Sequence, residues 1–181
     1  MKRDKSEKEI PDSNNGPREV LGALQEEARR VRKSAADDAP ATITVGMATC
    51  GLASGALETR KALEQALLDY DIHARIKEVG CIGHCYAEPV VIMEREGFPP
   101  IFYHQMTPGK ARMLVKSFIR EGDPLFEHVL GAMEQNEFIP WVMDFPRFNQ
   151  ERRVVTELCG SIDPEDVYEY LAEGGYEPMA K

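Results

Sequence analysis

Long apolar stretches and an excess of positive charge are both missing from this chain. No apolar run approaches the length of a membrane span, and residues 1–5 lack the apolar region of a secretory signal. Asp and Glu outnumber Lys and Arg by 31 to 22, which gives a net charge of −9. Because a nucleic-acid-binding surface needs a basic stripe, these absences argue against membrane-spanning and nucleic-acid-binding proteins. We expect a protein of a reducing compartment, the cytoplasm.

Cysteine is also scarce, with four residues among 181. In a reducing compartment such a small set more often serves as metal ligands, redox groups or buried thiols than as a disulfide framework. Neither a Ser/His/Asp constellation nor a phosphate-binding loop is present. The cysteines therefore carry most of the chemistry that the sequence offers.

Three of the four cysteines lie in two short loops, each of which follows a strand-like run. Residues 80–85 read GCIGHC and place Cys81 and Cys85 around a glycine, which tolerates a positive φ and leaves room between the sulfurs. Cys50 lies in the loop ATCG at residues 48–51, just before a predicted helix whose amide groups would favour its thiolate. A compact fold that brings these loops together would form a metal or redox site.

The predicted elements follow the order of a small α/β domain. Alternating and β-branched runs predict strands at residues 42–46, 73–79, 88–94 and 101–104. Apolar residues at helical spacing predict helices at residues 53–70 and 107–120. The order βαβ–ββα is that of a two-layer domain of thioredoxin type, which we place at residues 41–122.

The flanking segments are predicted to be simpler. Residues 1–40 form a charged tail with an amphipathic helix at 17–33. Residues 123–181 are expected to form a helical and extended extension. Its parts are a helix at 124–135, an irregular apolar arm at 138–148, a strand at 154–158 and a helix capped by Asp163. The arm either packs within the chain or contacts a partner subunit.

The motifs at residues 45–56 (VGMATCGLASGA), 80–85 (GCIGHC) and 88–89 (EP) resemble one family of subunits. These are the NADH-binding flavoprotein subunits of complex I, NAD-linked hydrogenases and formate dehydrogenases, at their thioredoxin-like ferredoxin domain. Residues 159–176 are similar to the start of the flavin domain in the same subunits. The resemblance implies an electron-transfer module that binds a [2Fe-2S] cluster through Cys50, Cys81 and Cys85 and works with other subunits of a complex.

Two departures from the family pattern accompany this resemblance. Where cluster-binding members have a further cysteine, about five residues before the position of Cys50, this chain has Val45, which cannot bind iron. The family's FMN and NADH sites would lie beyond Lys181. The resemblance therefore implies that residues 123–181 form a linker arm and the start of a truncated flavin domain, in either a piece of a longer subunit or a stand-alone relic of one. It also implies no NADH oxidation by this chain alone.

The residues leave several alternatives open for the fourth ligand and for the metal. Ser54, a histidine or a partner chain could complete the iron coordination, or the position could stay empty. Three cysteines and one histidine also form a known structural zinc set, although the spacing from Cys81 to Cys85 is wider than in common zinc knuckles. A disulfide between these two cysteines is disfavoured because redox pairs usually read C-x-x-C at a helix start.

A second hypothesis needs no cluster at all. The thiols would then be buried or redox-labile remnants, and the domain would be a docking module that holds an electron-transfer complex together. His84 could replace a thiolate ligand, but the commoner role of a histidine beside a ligand is that of a solvent-facing hydrogen-bond donor, which we expect here. Cys159 is expected to be a packed thiol and not a ligand.

Overall fold

The fold is described from a computed structural model, which covers residues 16–180. Its centre is a five-stranded sheet in the order β2-β1-β3-β4-β5. β1 runs parallel to β2, and the other neighbouring strands pair antiparallel. The strands are β1 (Ala41–Gly46), β2 (Arg75–Val79), β3 (Val91–Arg95), β4 (Ile101–Tyr103) and β5 (Val129–Ala132). The tail predicted over residues 1–15 lies outside the described residues.

Six α-helices accompany the sheet within residues 16–180. They are α1 (Pro17–Asp37), α2 (Thr49–Ala53), α3 (Ala56–Asp69), α4 (Pro108–Leu114), α5 (Pro146–Asn149) and α6 (Val167–Ala172), and π-helical turns continue α4 over Val115–Glu121. Among the described residues, no helix has both the length and the apolar character needed to cross a membrane. The predicted βαβ–ββα order is thus confirmed in β1, α3, β2, β3, β4 and α4, and with it the thioredoxin-like fold class.

The main core lies between the sheet and the helices α3 and α4. Ile43 and Val45 alternate along β1 and are fully buried in this core, together with Leu63 of α3. Phe118 packs edge to face against Phe98, with ring centroids 5.1 Å apart. These contacts follow from the period-2 and helical apolar patterns of the sequence.

The opposite face of the sheet is covered by loops. A second cluster joins Ile92 and Phe102 of the sheet to Ile82 and to Val142 of the arm at residues 138–148. Of the two alternatives for this arm, packing within the chain is therefore confirmed. The arm closes the sheet face that lies beside the cysteine loops.

The extension differs from its prediction in three places. The helix predicted at 124–135 is wrong, because residues 129–132 pair with β4 as β5 and Leu125 adopts a positive φ of 49° that a continuous helix excludes. The strand predicted at 154–158 is also wrong, since these residues form turns and Val155 is 97% exposed. The last helix begins at Val167, and its cap is Asp166 in place of Asp163.

α6 connects the extension to both the sheet and α1. Glu169 is 2% exposed and accepts bonds from Arg75 (3.1 Å) and from the Nζ atom of Lys77 (2.6 Å), both on β2. The backbone amide of Asp163 donates to the same carboxylate at 2.9 Å. On the other side, Gln25 of α1 donates to the carbonyl of Gly175 at 3.2 Å. A buried carboxylate with these partners fixes the position of α6 against β2.

Candidate metal centre

The topology of the sheet brings the cysteine loops to one edge. β1 and β2 are adjacent parallel strands, so their carboxyl ends lie side by side. Cys50 follows β1 in the first turn of α2, and Cys81 follows β2. Cys85 begins a short 3₁₀ turn, Cys85–Ala87, that leads towards β3. The prediction that two separate loops converge is therefore confirmed by the fold.

The three sulfur atoms lie in contact with one another. The Sγ atoms of Cys50 and Cys81 are 3.6 Å apart, and those of Cys81 and Cys85 are 3.5 Å apart. All three lie within 4.8 Å of one another. No disulfide joins them. Soft thiolates gathered in this way fit an iron–sulfur centre or a zinc ion.

The loop between Cys81 and Cys85 depends on its central glycine. Gly83 has a φ of +99°, as the sequence predicts, and its backbone amide donates to the Sγ atom of Cys81 at 3.3 Å. A Cβ atom at this position would also approach the guanidinium of Arg153 to 3.3 Å. A side chain is therefore disfavoured here, mainly by the positive φ, and the amide that this conformation directs at Cys81 stabilises negative charge on sulfur.

A carboxylate that sequence reasoning missed completes this cluster of side chains. Glu88 is only 7% exposed, and its Oε1 atom lies 3.7 Å from the Sγ atom of Cys50. Its Oε2 atom accepts a hydrogen bond from the amide of Val90 at 2.9 Å. In the sequence Glu88 stands three positions after Cys85, within the motif EP and at the start of a predicted strand. The closeness of this acid to a candidate ligand in the sequence is the signal that could have identified it as part of the site.

Two glycines make room for this carboxylate. A Cβ atom on Gly46 would come within 3.3 Å of both carboxylate oxygens, and one on Gly51 would lie 3.2 Å from Oε2. The Cβ at Gly51 would also lie 2.4 Å from the carbonyl oxygen of Gly46, a distance that real structures do not show. The β1–α2 turn therefore forms a cradle that only these small residues permit.

Burial controls the ionisation of the thiols and of the acid. It raises the pKa of Cys50 to about 12, and hydrogen bonds with Cys85 and Cys81 add to this effect. Burial likewise raises the pKa values of Cys81 and Glu88. Any stabilisation of the Cys50 thiolate by helix amides, as the sequence predicts, is thus outweighed by desolvation of this site. A metal that binds here must displace protons.

Aromatic rings and an arginine brace the loop of Cys81 and Cys85 from outside. His84 is 2% exposed and packs against Phe148, with ring centroids 3.9 Å apart, so the expectation that it faces solvent is wrong. Its Nδ1 atom lies 3.2 Å from the hydroxyl of Tyr86. Arg153 donates to the carbonyl of Ile82 at 2.6 Å and lies over the Phe148 ring at 5.0 Å.

The remaining candidates lie away from the three sulfurs. Val45 is fully buried in the main core, and Ser54 is exposed at the end of α2. Cys159 is exposed, so the expectation of a packed thiol there is wrong. Among the described residues it does not join the group formed by the other cysteines. Whether that group binds a metal stays a prediction.

Comparison with known proteins shows that this chain is similar in sequence to a hydrogenase subunit. No protein-family model matches it. It is 27% identical over 94 residues to the NADP-reducing hydrogenase subunit HndB of Solidesulfovibrio fructosivorans, an alignment that covers 51% of this chain and 75% of that protein. This relative confirms the resemblance to subunits of NAD(P)-linked hydrogenases.

Similar solved structures come from Aquifex aeolicus. One is the wild-type thioredoxin-like [2Fe-2S] ferredoxin, which is 17% identical in sequence and has a TM-score of 0.45. The superposition covers 51% of this chain and 97% of the ferredoxin chain. A second structure of a thioredoxin-like [2Fe-2S] ferredoxin is 18% identical in sequence and has a TM-score of 0.46. That superposition covers 52% of this chain and 94% of the ferredoxin chain.

Proposed function

We propose that this chain is the electron-transfer module of an NAD(P)H-linked oxidoreductase complex and that it carries a [2Fe-2S] cluster. The observation that supports this most strongly is the convergence of Cys50, Cys81 and Cys85 from two separate loops onto one point. Three soft ligands at one edge of an α/β sheet match the donor set of an iron–sulfur cluster closely. The sequence motifs and the hydrogenase relative point to the same class of protein.

In this function each residue around the site has a definite task. The three thiolates would hold the cluster, which would supply one-electron redox chemistry when bound. The amide of Gly83 donates to Cys81 and would lower the cost of negative charge on that sulfur. The exposed Cys85 gives the site one side that faces solvent. An electron donor or acceptor subunit would approach from that side.

The partners follow from this proposal. The relative HndB is named as a subunit of a hydrogenase, and we infer that this chain likewise works beside other subunits that carry the flavin and pyridine-nucleotide chemistry. Thiols that stay reduced fit a cytoplasmic setting. The negative net charge of −9 favours a partner with a basic docking face.

The test is anaerobic reconstitution of the chain with ferrous iron and sulfide, followed by iron and sulfide assays and a visible spectrum. We expect a coloured protein with about two irons per chain. Cys81→Ser should lose most of the colour, and Cys159→Ser, which changes an exposed cysteine outside the group, should keep it. A colourless, iron-free wild-type chain would refute the proposal, and so would a Cys81→Ser variant that matches the wild type.

One observation favours the docking module as a second candidate. The three thiols satisfy one another by hydrogen bonds, and Glu88 accepts from Cys50, so the site closes without a metal. A chain with this function would stay colourless after reconstitution and would still bind the other subunits of the complex. The iron assay therefore separates the two candidates directly.

A further inference from the structure

We propose that Glu88 supplies the fourth ligand of the centre, through its Oε1 atom, beside Cys50, Cys81 and Cys85. This inference rests on the proposed function in one respect, namely that the thiols hold a metal. It assigns an oxygen to the place for which the three cysteines provide no sulfur. The resulting donor set of three thiolates and one carboxylate has the four ligands that a [2Fe-2S] cluster takes.

The first support is the distance between the two donor atoms. A tetrahedral metal with sulfur at about 2.3 Å and a carboxylate oxygen at about 2.1 Å holds these two atoms about 3.6 Å apart. The Oε1 atom of Glu88 lies 3.7 Å from the Sγ atom of Cys50. Two sulfurs on one such metal lie about 3.8 Å apart, and the pair Cys81 and Cys85 is at 3.5 Å. Both separations are therefore compatible with two ligands on one metal, as is the 3.6 Å between the Sγ atoms of Cys50 and Cys81.

The second support is that the carboxylate is held in place before any metal arrives. The amide of Val90 fixes Oε2 at 2.9 Å, and the cradle of Gly46 and Gly51 fits around both oxygens. With one oxygen engaged by the backbone, the other is the one directed at Cys50. This arrangement supports a first-sphere ligand in the way that outer hydrogen bonds orient known metal ligands.

The third support is electrostatic. Glu88 is 7% exposed, and within residues 16–180 its carboxylate interacts with the amide of Val90 and the thiol of Cys50, without an ion pair to a lysine or arginine. Burying a carboxylate without a cation is costly. A bound metal ion would place a positive centre beside the Sγ atom of Cys50, where the Oε1 atom of Glu88 already lies.

The other candidates for the fourth position fit less well. Val45 packs in the main core, and a valine has no donor atom. Ser54 is exposed at the end of α2. His84 is enclosed by rings, with its Nδ1 atom at the Tyr86 hydroxyl. Of these candidates, Glu88 combines a donor atom, burial and contact with Cys50, and it lies beside the group of three sulfurs that come within 4.8 Å of one another.

The experiment uses cobalt(II) as the probe, added anaerobically to the metal-free full chain. Wild-type protein should show the visible bands of tetrahedral cobalt with thiolate charge transfer. Glu88→Gln keeps the size and an acceptor for Val90 but is a poor ligand, so cobalt affinity should fall at least about tenfold and the visible bands should change. Glu94→Gln, an acid lost from β3 and placed away from the sulfurs, is the matched control and should behave as wild type.

A second variant keeps the test decisive if Glu88→Gln folds poorly by circular dichroism. Glu88→Cys should bind cobalt tightly and raise the thiolate charge-transfer intensity by about one third, because four thiolates then replace three. Unchanged bands and affinity in Glu88→Gln, or no gain in Glu88→Cys, would overturn the assignment. Wild-type protein without thiolate–cobalt bands would overturn it as well.

Iron reconstitution of the same proteins separates this inference from the proposed function. If the wild type binds cobalt through Glu88 but forms no cluster with iron and sulfide, the ligand assignment is supported and the proposed function is refuted. If the cluster forms and its visible and electron paramagnetic resonance spectra are identical in Glu88→Gln and wild type, the function stands and the ligand assignment is wrong.

Discussion

Residues 41–121 and residues 123–180 contribute to the thiol site in different ways. The first region contains four of the five strands and the helices α2, α3 and α4, and it places all three sulfurs and Glu88. The second region consists mostly of turns and short helices. It packs against the cysteine loop from outside, through residues that include Val142, Phe148 and Arg153. Strand ends therefore determine where the sulfurs lie, and the extension braces one of the two loops.

The two cysteine loops also differ in which region holds them in place. Cys50 and Glu88 are held by the β1–α2 turn and by Val90, all within the first region. The loop from Cys81 to Cys85 is held by both regions, because Arg153 binds the carbonyl of Ile82. We therefore expect core changes in the first region to unfold the protein. Changes in the extension should instead act on the Cys81–Cys85 loop.

The largest effect is expected in the first region. Phe118 is fully buried between α3 and the sheet, and it packs on Phe98. Phe118→Ala should lower the free energy of unfolding by about 4 kcal/mol, because it leaves a cavity in the main core. Denaturant titration followed by circular dichroism measures this change. A loss below about 1 kcal/mol would contradict this expectation, since the main core would then not be the chief source of stability.

A smaller effect is expected where the extension meets the sheet. Glu169→Gln removes the charge that Lys77 and Arg75 bind, and should cost about 2 kcal/mol at pH 7. Burial alone would raise the pKa of Glu169, but the hydrogen bond from Lys77 and the amide of Asp163 outweigh it and lower this pKa below 4.5. The contribution of the charge is therefore complete above about pH 4.5 and is lost as the pH falls through the folded-state pKa.

The pH dependence supplies the control for Glu169. The stability difference between wild type and Glu169→Gln should shrink steadily below about pH 4.5 and stay constant between about pH 6 and pH 8. Thermal melts over this range measure it. A difference that is independent of pH throughout would show that shape, and not charge, makes the contact.

The brace on the cysteine loop should have a still smaller effect on stability. Arg153→Leu removes the hydrogen bond to Ile82 and the stacking on Phe148, and should cost about 1 kcal/mol. The loop it holds carries Cys81 and Cys85, so a bound metal should be lost to a chelator several-fold faster, about the lower end of outer-sphere effects. Glu151→Gln, which removes the charge that pairs with Arg153 at 3.6 Å but keeps the bond from Arg153 to Ile82, is the control. Equal rates of metal loss in the wild type and both variants would show that Arg153 does not stabilise the loop of Cys81 and Cys85.

The smallest effect is expected at the outer turn of the extension. Val155 is 97% exposed, so Val155→Ser should change the unfolding free energy by less than about 0.5 kcal/mol and leave metal retention unchanged. Denaturant titration and the chelator assay check both. A marked effect would mean that Val155 itself influences the core or the site, contrary to its exposure.

The sequence patterns predicted the first region well because its elements carry strong local signals. Thr107 caps α4 by accepting from the amide of Lys110, with Pro108 in the first turn, as its sequence indicates. The convergence of the thiols also followed from local order, since both loops come after adjacent parallel strands. Helix and strand periods decided the fold here without help from distant residues.

The extension was less predictable because its structure depends on partners that are distant in sequence. The apolar run at 124–135 fits a helix by period, yet the free edge of β4 provides hydrogen bonds that draw Val129–Ala132 into the sheet. The burial of His84 and the position of Glu88 likewise arise from tertiary contacts with Phe148 and Cys50. Local spacing carries no information on such contacts. The division at residue 122 and the flavin-domain interpretation of residues 123–181 stay predictions.

Iron X-ray absorption of the anaerobically reconstituted chain tests most directly whether the converging thiols hold a two-iron cluster. The account predicts an iron–iron scattering shell and a first shell dominated by sulfur, with a minor oxygen component that disappears in Glu88→Cys. A first shell of oxygen or nitrogen alone, without an iron–iron shell, would contradict it.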